Sequence, residues 1–281
     1  MKRKSVDSLL ERQRHWATGA GIAVDDRGYV KSYEDNLRQP LSAEAKAAFV
    51  AGSGTELEDG ATRPAKMRAL HSSSALAVNV FDYWSDRDSL RLTQGLEVAP
   101  ATGSLRFEKK FPTGLKGIPP NLDVVLTLQS GLTLAIESKF TEWLTPKLTT
   151  NAPFKAKYFE SGRNLWAGVG LPECQRLAHD VQEKAESFVH LNVPQLLKHA
   201  LGLATNERKR FSLCYLYYDW PCPESEIHHL EVNRFASRVG SELLFRAITY
   251  QDLFRRLTHG CGPGDNSYVD YLRSRYFKAA T

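Results

Sequence analysis

The sequence predicts an α/β protein in which helices cover a mixed β-sheet. Three observations carry this reading. First, apolar residues recur at helical spacing over 65–84 and then give way to short β-branched runs at 105–111, 122–128 and 132–136. Second, helical spacing returns before one more buried run at 211–218. Helix, three strands, helix and strand in that order is the signature of a sheet with helices packed on it. Third, the chain of 281 residues is 42% hydrophobic and 25% charged, enough apolar surface for a sizeable core.

The elements follow in order. Residues 1–40 are polar and read as an arm with one short helix over 5–16. Ser42 is placed to cap a helix over 42–50, which should stop at Gly52-Ser53-Gly54. Pro64 opens the helix 65–84, whose inward positions are Met67, Leu70, Ala77, Phe81 and Trp84. A short helix or loop follows at 86–96, and then the three strands. A charged helix is expected over 172–188 and a second over 193–203, the latter with Leu196, Leu197, Ala200 and Leu203 inward. The strand 211–218 stops at Trp220-Pro221. A helix from 234 to 240, a strand at 246–249 and a helix at 250–257 come next. The glycine-rich stretch 260–264 lacks the Gly-Lys-Ser/Thr ending of a phosphate-cradling loop and reads as a turn before a terminal helix, 268–277. Three regions result: an N-terminal arm with helices packing on the core (1–64), the core (65–257), and a C-terminal loop and helix (258–281).

No apolar run is long enough to span a membrane, and the basic N-terminus lacks the apolar stretch of a secretory signal. A cytoplasmic protein is expected. Cys174, Cys214, Cys222 and Cys261 form no CxxC pair, so they read as thiols and not as a zinc site. The net charge is +5. Residues 105–157 carry eight basic and four acidic side chains, so most of the excess lies in one segment.

That segment holds the chemistry. In NLDVVLTLQSGLTLAIESK, residues 121–139, two apolar strands flank Gln129-Ser130-Gly131. A three-residue hairpin loop needs a positive φ at its last position, which suits Gly131. Counting outward from that loop sets Asp123 opposite Glu137 on one face of the ladder, with Lys139 two residues on and on the same face. A register slip of one residue would separate them. Two facing carboxylates repel unless a cation lies between them. A hard divalent ion, Mg²⁺ or Mn²⁺, takes carboxylate and carbonyl oxygens and keeps several waters. Asp123, Glu137 and the backbone carbonyl of Ser138 offer that set, and Lys139 is placed to orient or deprotonate a water or to hold phosphate oxygens. The competing reading of Glu137 and Lys139 is a surface ion pair of little consequence.

This D…ExK hairpin, preceded by a helix and followed by helix and strand, resembles the PD-(D/E)xK nuclease superfamily across roughly 65–218. The stretches GSGTEL (52–57), KMRALHSSSALAVNVF (66–81) and ESKFTEW (137–143) resemble an uncharacterised bacterial restriction-endonuclease-like family. Leu122 stands where the motif has proline. The resemblance implies a restriction-endonuclease-like fold with Asp123, Glu137 and Lys139 as its metal-binding and catalytic set. It also implies two additions: an acid from before the sheet, for which Glu56 is the best candidate ahead of Glu142, and a glutamine from the later helix, here Gln195. His199, one turn further on, reads as an exposed helix face before it reads as a site residue.

DNA is the expected partner, with RNA second. Lys109, Lys110, Lys116, Lys147, Lys155 and Lys157 flank the site and suit phosphate contacts. Phe154, Tyr158 and Phe159 interleave with two of them and suit either base stacking or core packing. A homodimer would fit double-strand cleavage by symmetry, and a protein partner is left open. The resulting expectation is a metal-dependent endodeoxyribonuclease of restriction, phage defence or repair. Its rival is a weak or inactive nucleic-acid-binding module on the same fold. An unrelated α/β enzyme is disfavoured by the absence of G-x-S-x-G, G-x-G-x-x-G and H-E-x-x-H signatures.

Overall fold

The computed structural model describes residues 4–52, 56–101, 105–147, 152–259 and 262–277. Helices α1 (Lys4–Gly19), α2 (Ala43–Val50), α3 (Ser73–Phe81) and α4 (Leu90–Gly95) precede strands β1 (Arg106–Lys110), β2 (Asn121–Thr127) and β3 (Thr133–Lys139). Then come α5 (Leu165–Gly168), α6 (Pro172–Gln182), α7 (Val193–Glu207), β4 (Phe211–Tyr217), α8 (Pro223–Val239), β5 (Phe245–Thr249), α9 (Tyr250–Thr258) and α10 (Asn266–Leu272). The five strands lie in the order β1-β2-β3-β4-β5. β1, β2 and β3 run antiparallel, while β3, β4 and β5 run parallel. β3 is therefore the seam between the two halves of a mixed sheet. Every residue of β4, and every residue of β3 except Lys139, is buried, as strands covered on both faces require. α3 packs on β2 and β3, and α7 on β4.

The hairpin register is the one the loop implied. Val124 pairs with Ile136 and Thr127 with Thr133. Gly131 has φ +72°, and its N–H donates to Leu128 O at 2.8 Å. Any side chain at 131 would meet the guanidinium of Arg210 as well as the left-handed backbone.

Three expectations need correction. The helix over 65–84 is broken. Residues 66–70 pair with 28–30 instead, through Val30 N–H to Arg68 O (3.0 Å) and Leu70 N–H to Gly28 O (2.9 Å). The Asn36 amide also takes the carbonyls of Met67 and Ala69, each at 2.7 Å. A backbone committed to those partners is not free for helix, so α3 starts afresh at Ser73, with the Ser72 hydroxyl accepting from Ala75 N–H. The charged helix ends at Gln182, six residues before the expected 188. α8 starts at Pro223 and not at 234, because proline is well suited to a first helical turn. The expected stop at Ser53-Gly54, residues Gly260 and Cys261 of the glycine-rich turn, and residues 278–281 of the C-terminal region lie outside the described residues.

Cys174 and Cys214 are buried, and burial pushes the Cys214 thiol up to about 12. No described helix is long and apolar enough to cross a membrane.

Candidate active site

Continuing the β2–β3 register one residue beyond Val124 and Ile136 brings Asp123 opposite Glu137. Continuing the β1–β2 register between Phe107–Val124 and Lys109–Leu122 brings Glu108 opposite Asp123. Three carboxylates thus form one row across three adjacent strands. Together with Glu56, Lys139, Glu142 and Gln195 they line a cavity of about 440 Å³ beside the N-terminus of α3.

Glu137 is sealed, at 1% exposure. One of its oxygens lies against Lys139 Nζ and the other against His199 Nε2 at 2.9 Å. Each oxygen thus has one basic neighbour, and a carboxylate oxygen so engaged keeps a further lone pair. Burial raises the Glu137 pKa, but Lys139 and His199 outweigh it and hold the carboxyl down at about 2. Asp123 accepts the Ser138 N–H at 2.6 Å, so its side chain takes the place of a ladder bond at this point. Burial and the neighbouring Glu137 charge push its pKa well above the ordinary 3.8. Lys139 is 14% exposed and remains a firm cation: burial lowers its pKa, but Glu137, Glu142 and Asp123 raise it further.

The donor set fits a divalent ion. Asp123 carries an ionisation cost that a bound cation would remove, and each buried Glu137 oxygen keeps a lone pair beyond its basic neighbour. Among the described residues no three His, Cys, Asp or Glu side chains close on a common point. Two carboxylates with one carbonyl, as at Asp123, Glu137 and Ser138, would leave most of the ion's positions to water, which is how Mg²⁺ prefers to bind.

Glu56 reaches the cavity from before the sheet. Its carboxylate takes Lys66 Nζ at 2.9 Å and the Ser74 hydroxyl at 2.8 Å. Glu142 also lines the cavity, with one oxygen accepting the N–H groups of Phe140 (2.8 Å) and Thr141 (3.0 Å). Gln195 lies at the rim in the first turn of α7, its backbone N–H capped by Asn192.

His199 is a correction. It is 2% exposed and pairs with Glu137, because α7 turns that face onto β3. Its spacing of four from Gln195 was the available signal, since such residues share a helix face.

Glu108 was missed altogether. Alternation with Phe107 sets it on the face of Asp123 once the β1–β2 register is known. Its φ of +48° is uncommon for a non-glycine residue, and the Asn121 amide donates to it. Burial, then Glu56, lift its pKa to about 7.

The lysines divide. Lys147 lies by the cavity, its ammonium donating to Glu142 O at 2.9 Å. Lys155 and Lys157 surround Lys198. Lys157 also donates to Lys116 O. Lys109 is drawn to Glu207 (3.7 Å) and to the Phe111 ring, and Lys110 donates to Ala51 O (2.8 Å). Phe154 and Tyr158 are buried against Trp166, so packing is their role.

A five-stranded mixed sheet with this order of helices is the restriction-endonuclease-like fold. Residues 10–277 match the family described as Restriction Endonuclease associating with ARP, and the chain belongs to that family. No curated protein and no solved structure shows a significant match to it.

Proposed function

We propose that the protein is a metal-dependent nuclease that hydrolyses DNA phosphodiester bonds at the Asp123–Glu137–Lys139 cluster. The observation that carries this reading is the sealed Glu137. It faces a second carboxylate across the ladder, keeps a lone pair on each oxygen beyond its contacts with Lys139 and His199, and has a lysine fixed beside it. A structural ion pair has no need of a second facing carboxylate, which only adds repulsion.

Asp123, Glu137 and the Ser138 carbonyl would hold Mg²⁺ or Mn²⁺. When bound, the ion supplies an acidified water and neutralises charge on the phosphate. Lys139 keeps its proton, so its part is to donate hydrogen bonds to a phosphate oxygen or to orient the incoming water, not to remove a proton. His199 holds Glu137 from the side opposite Lys139 and fixes its rotamer. Gln195 is available to a substrate oxygen at the rim. Glu56 is already balanced by Lys66 and supports the rim of the site. Lys147, with Lys155 and Lys157 beyond it, would meet flanking phosphates, giving a salt-dependent affinity. The family description names association with ARP, and we take a protein partner to belong to the working form. The same description supports a role in restriction.

The test is cleavage of supercoiled and linear DNA in Mg²⁺, Mn²⁺ or EDTA. Lys139→Ala should lower the metal-dependent rate by about 10²–10³-fold, and Asp123→Asn should abolish it. Cutting that survives both substitutions would place the chemistry elsewhere. No cutting of DNA or RNA by the wild type, alone or with its ARP partner, would leave a binding module.

A further inference from the structure

The cluster does not stand alone. A second cavity of about 630 Å³ opens beside it, between α6, the segment leading into α7, and the start of β2. Asn121 and Gln195 line both cavities, and His199, which pairs with Glu137, lines the second. The two spaces therefore share a wall.

The second cavity has two kinds of surface. Part of its lining is apolar, from Phe188, Leu191 and Pro194, and the side chains of Asn121 and Gln195 are shared with the cavity of the cluster. Lys147, Lys184 and Lys198 also line it. Lys198 is half-buried, and its ammonium lies over the rings of Phe154 (5.2 Å) and Tyr158 (5.7 Å). Among the described residues it has no carboxylate partner. Burial, with Lys155 and Lys157 nearby, lowers its pKa, so an arriving anion would relieve it. The one acid on the lining, Glu186, is already held by Arg234 and Arg238. An apolar lining with two amides and ammonium groups makes a chemical complement to a nucleotide: a flat base, its polar edge and its phosphate. The volume lies within the range of small-molecule sites.

We propose that this cleft seats the base of an unpaired DNA nucleotide next to the bond that is cut, with the adjoining phosphate on Lys147 and Lys198. The inference rests on the nuclease reading and narrows its substrate to DNA with an unpaired nucleotide at the cut. A paired base lies inside the stack and reaches such a cleft only after being turned out, whereas a single strand, flap or bulge presents it without that cost.

The test is fluorescence anisotropy in EDTA, with a labelled single strand of about ten nucleotides and a duplex of equal length. Two variants are compared with the wild type: Lys198→Ala, and Ser187→Trp, which fills the cleft from an exposed position on its lining. Circular dichroism checks their folding. The single strand should bind at least about tenfold tighter than the duplex, and each variant should remove about that factor while duplex binding moves by no more than about twofold. Equal affinity for the two probes, or variants that bind the single strand like the wild type, would overturn the proposal. Lys139-dependent cutting of continuous duplex without any preference for unpaired DNA would sink the cleft and leave the nuclease. Variant-sensitive single-strand binding without cutting under any metal would keep the nucleotide site and sink the nuclease reading.

Discussion

Asp123 is held in the fold at a cost. Its folded pKa is raised, so the penalty for ionising it is absent below the ordinary 3.8, grows as the pH rises from there to the folded value, and is constant above it. At pH 7 to 8, Asp123→Asn should therefore stabilise the metal-free protein, with the advantage vanishing near pH 4. Thermal denaturation across pH would show this, and a destabilised Asn variant would mean that burial and Glu137 do not penalise the Asp123 charge. Added Mg²⁺ or Mn²⁺ should raise the wild-type melting temperature and leave that of Asp123→Asn unmoved, since an ion at 100 times its Kd contributes about 2.7 kcal/mol. Glu108 shifts in the same direction as Asp123. Its folded pKa of about 7 makes stability fall as the pH rises from about 4.5 to 7, and Glu108→Gln should flatten that part of the profile. The metal-independent arm of these experiments tests the electrostatics separately from the catalysis.

At the scale of elements, the hairpin was legible and its neighbours were not. A short loop ending in glycine fixes a register, so the facing of Asp123 and Glu137 could be counted from residues 128–132. The loop between β1 and β2 is too long for such counting, which is why Glu108 escaped notice. The break at 66–72 was hidden because its cause lies some forty residues earlier, in the backbone of 28–30 and the side chain of Asn36. Likewise, the inward turn of His199 depends on how closely α7 can approach, and that depends on Gly202. A Cβ there would sit 2.5 Å from the backbone oxygen of Phe111. Gly202→Ala should cost about 1–3 kcal/mol despite alanine's better helix propensity, and should lower activity by moving His199 off Glu137. Urea denaturation and the cleavage rate measure the two effects, and a stabilised, fully active variant would refute the close-packing account. Gly131→Ala should cost about 1–2 kcal/mol through its positive φ alone.

Across the whole molecule, α1 is tied to the π-helical turn Arg273–Phe277 that follows α10. Arg275 is fully buried. Its guanidinium donates to Asn36 O (2.7 Å) and to the Tyr271 hydroxyl (2.6 Å), and it stacks 4.3 Å over the Trp16 ring. Gln13 donates to its carbonyl at 3.2 Å. Arg275→Ala should cost about 3 kcal/mol or more through hydrogen bonds lost from a charged donor and the space left behind. Chemical denaturation would register this, and a loss below about 1 kcal/mol would mean that the clasp is dispensable.

The seam at β3 has a consequence for the order in which the protein is made. Its antiparallel partner β2 is already synthesised when Glu137 leaves the ribosome, but its parallel partner β4 and the His199 that steadies the carboxylate come more than fifty residues later. Until they arrive, β3 has an open edge and Glu137 remains in water, where the hairpin alone gives little reason for two acids to stand face to face. A nascent chain therefore carries the acidic residues without the pocket that concentrates them, and the carboxylate cluster comes into being only when α7 and β4 close over it.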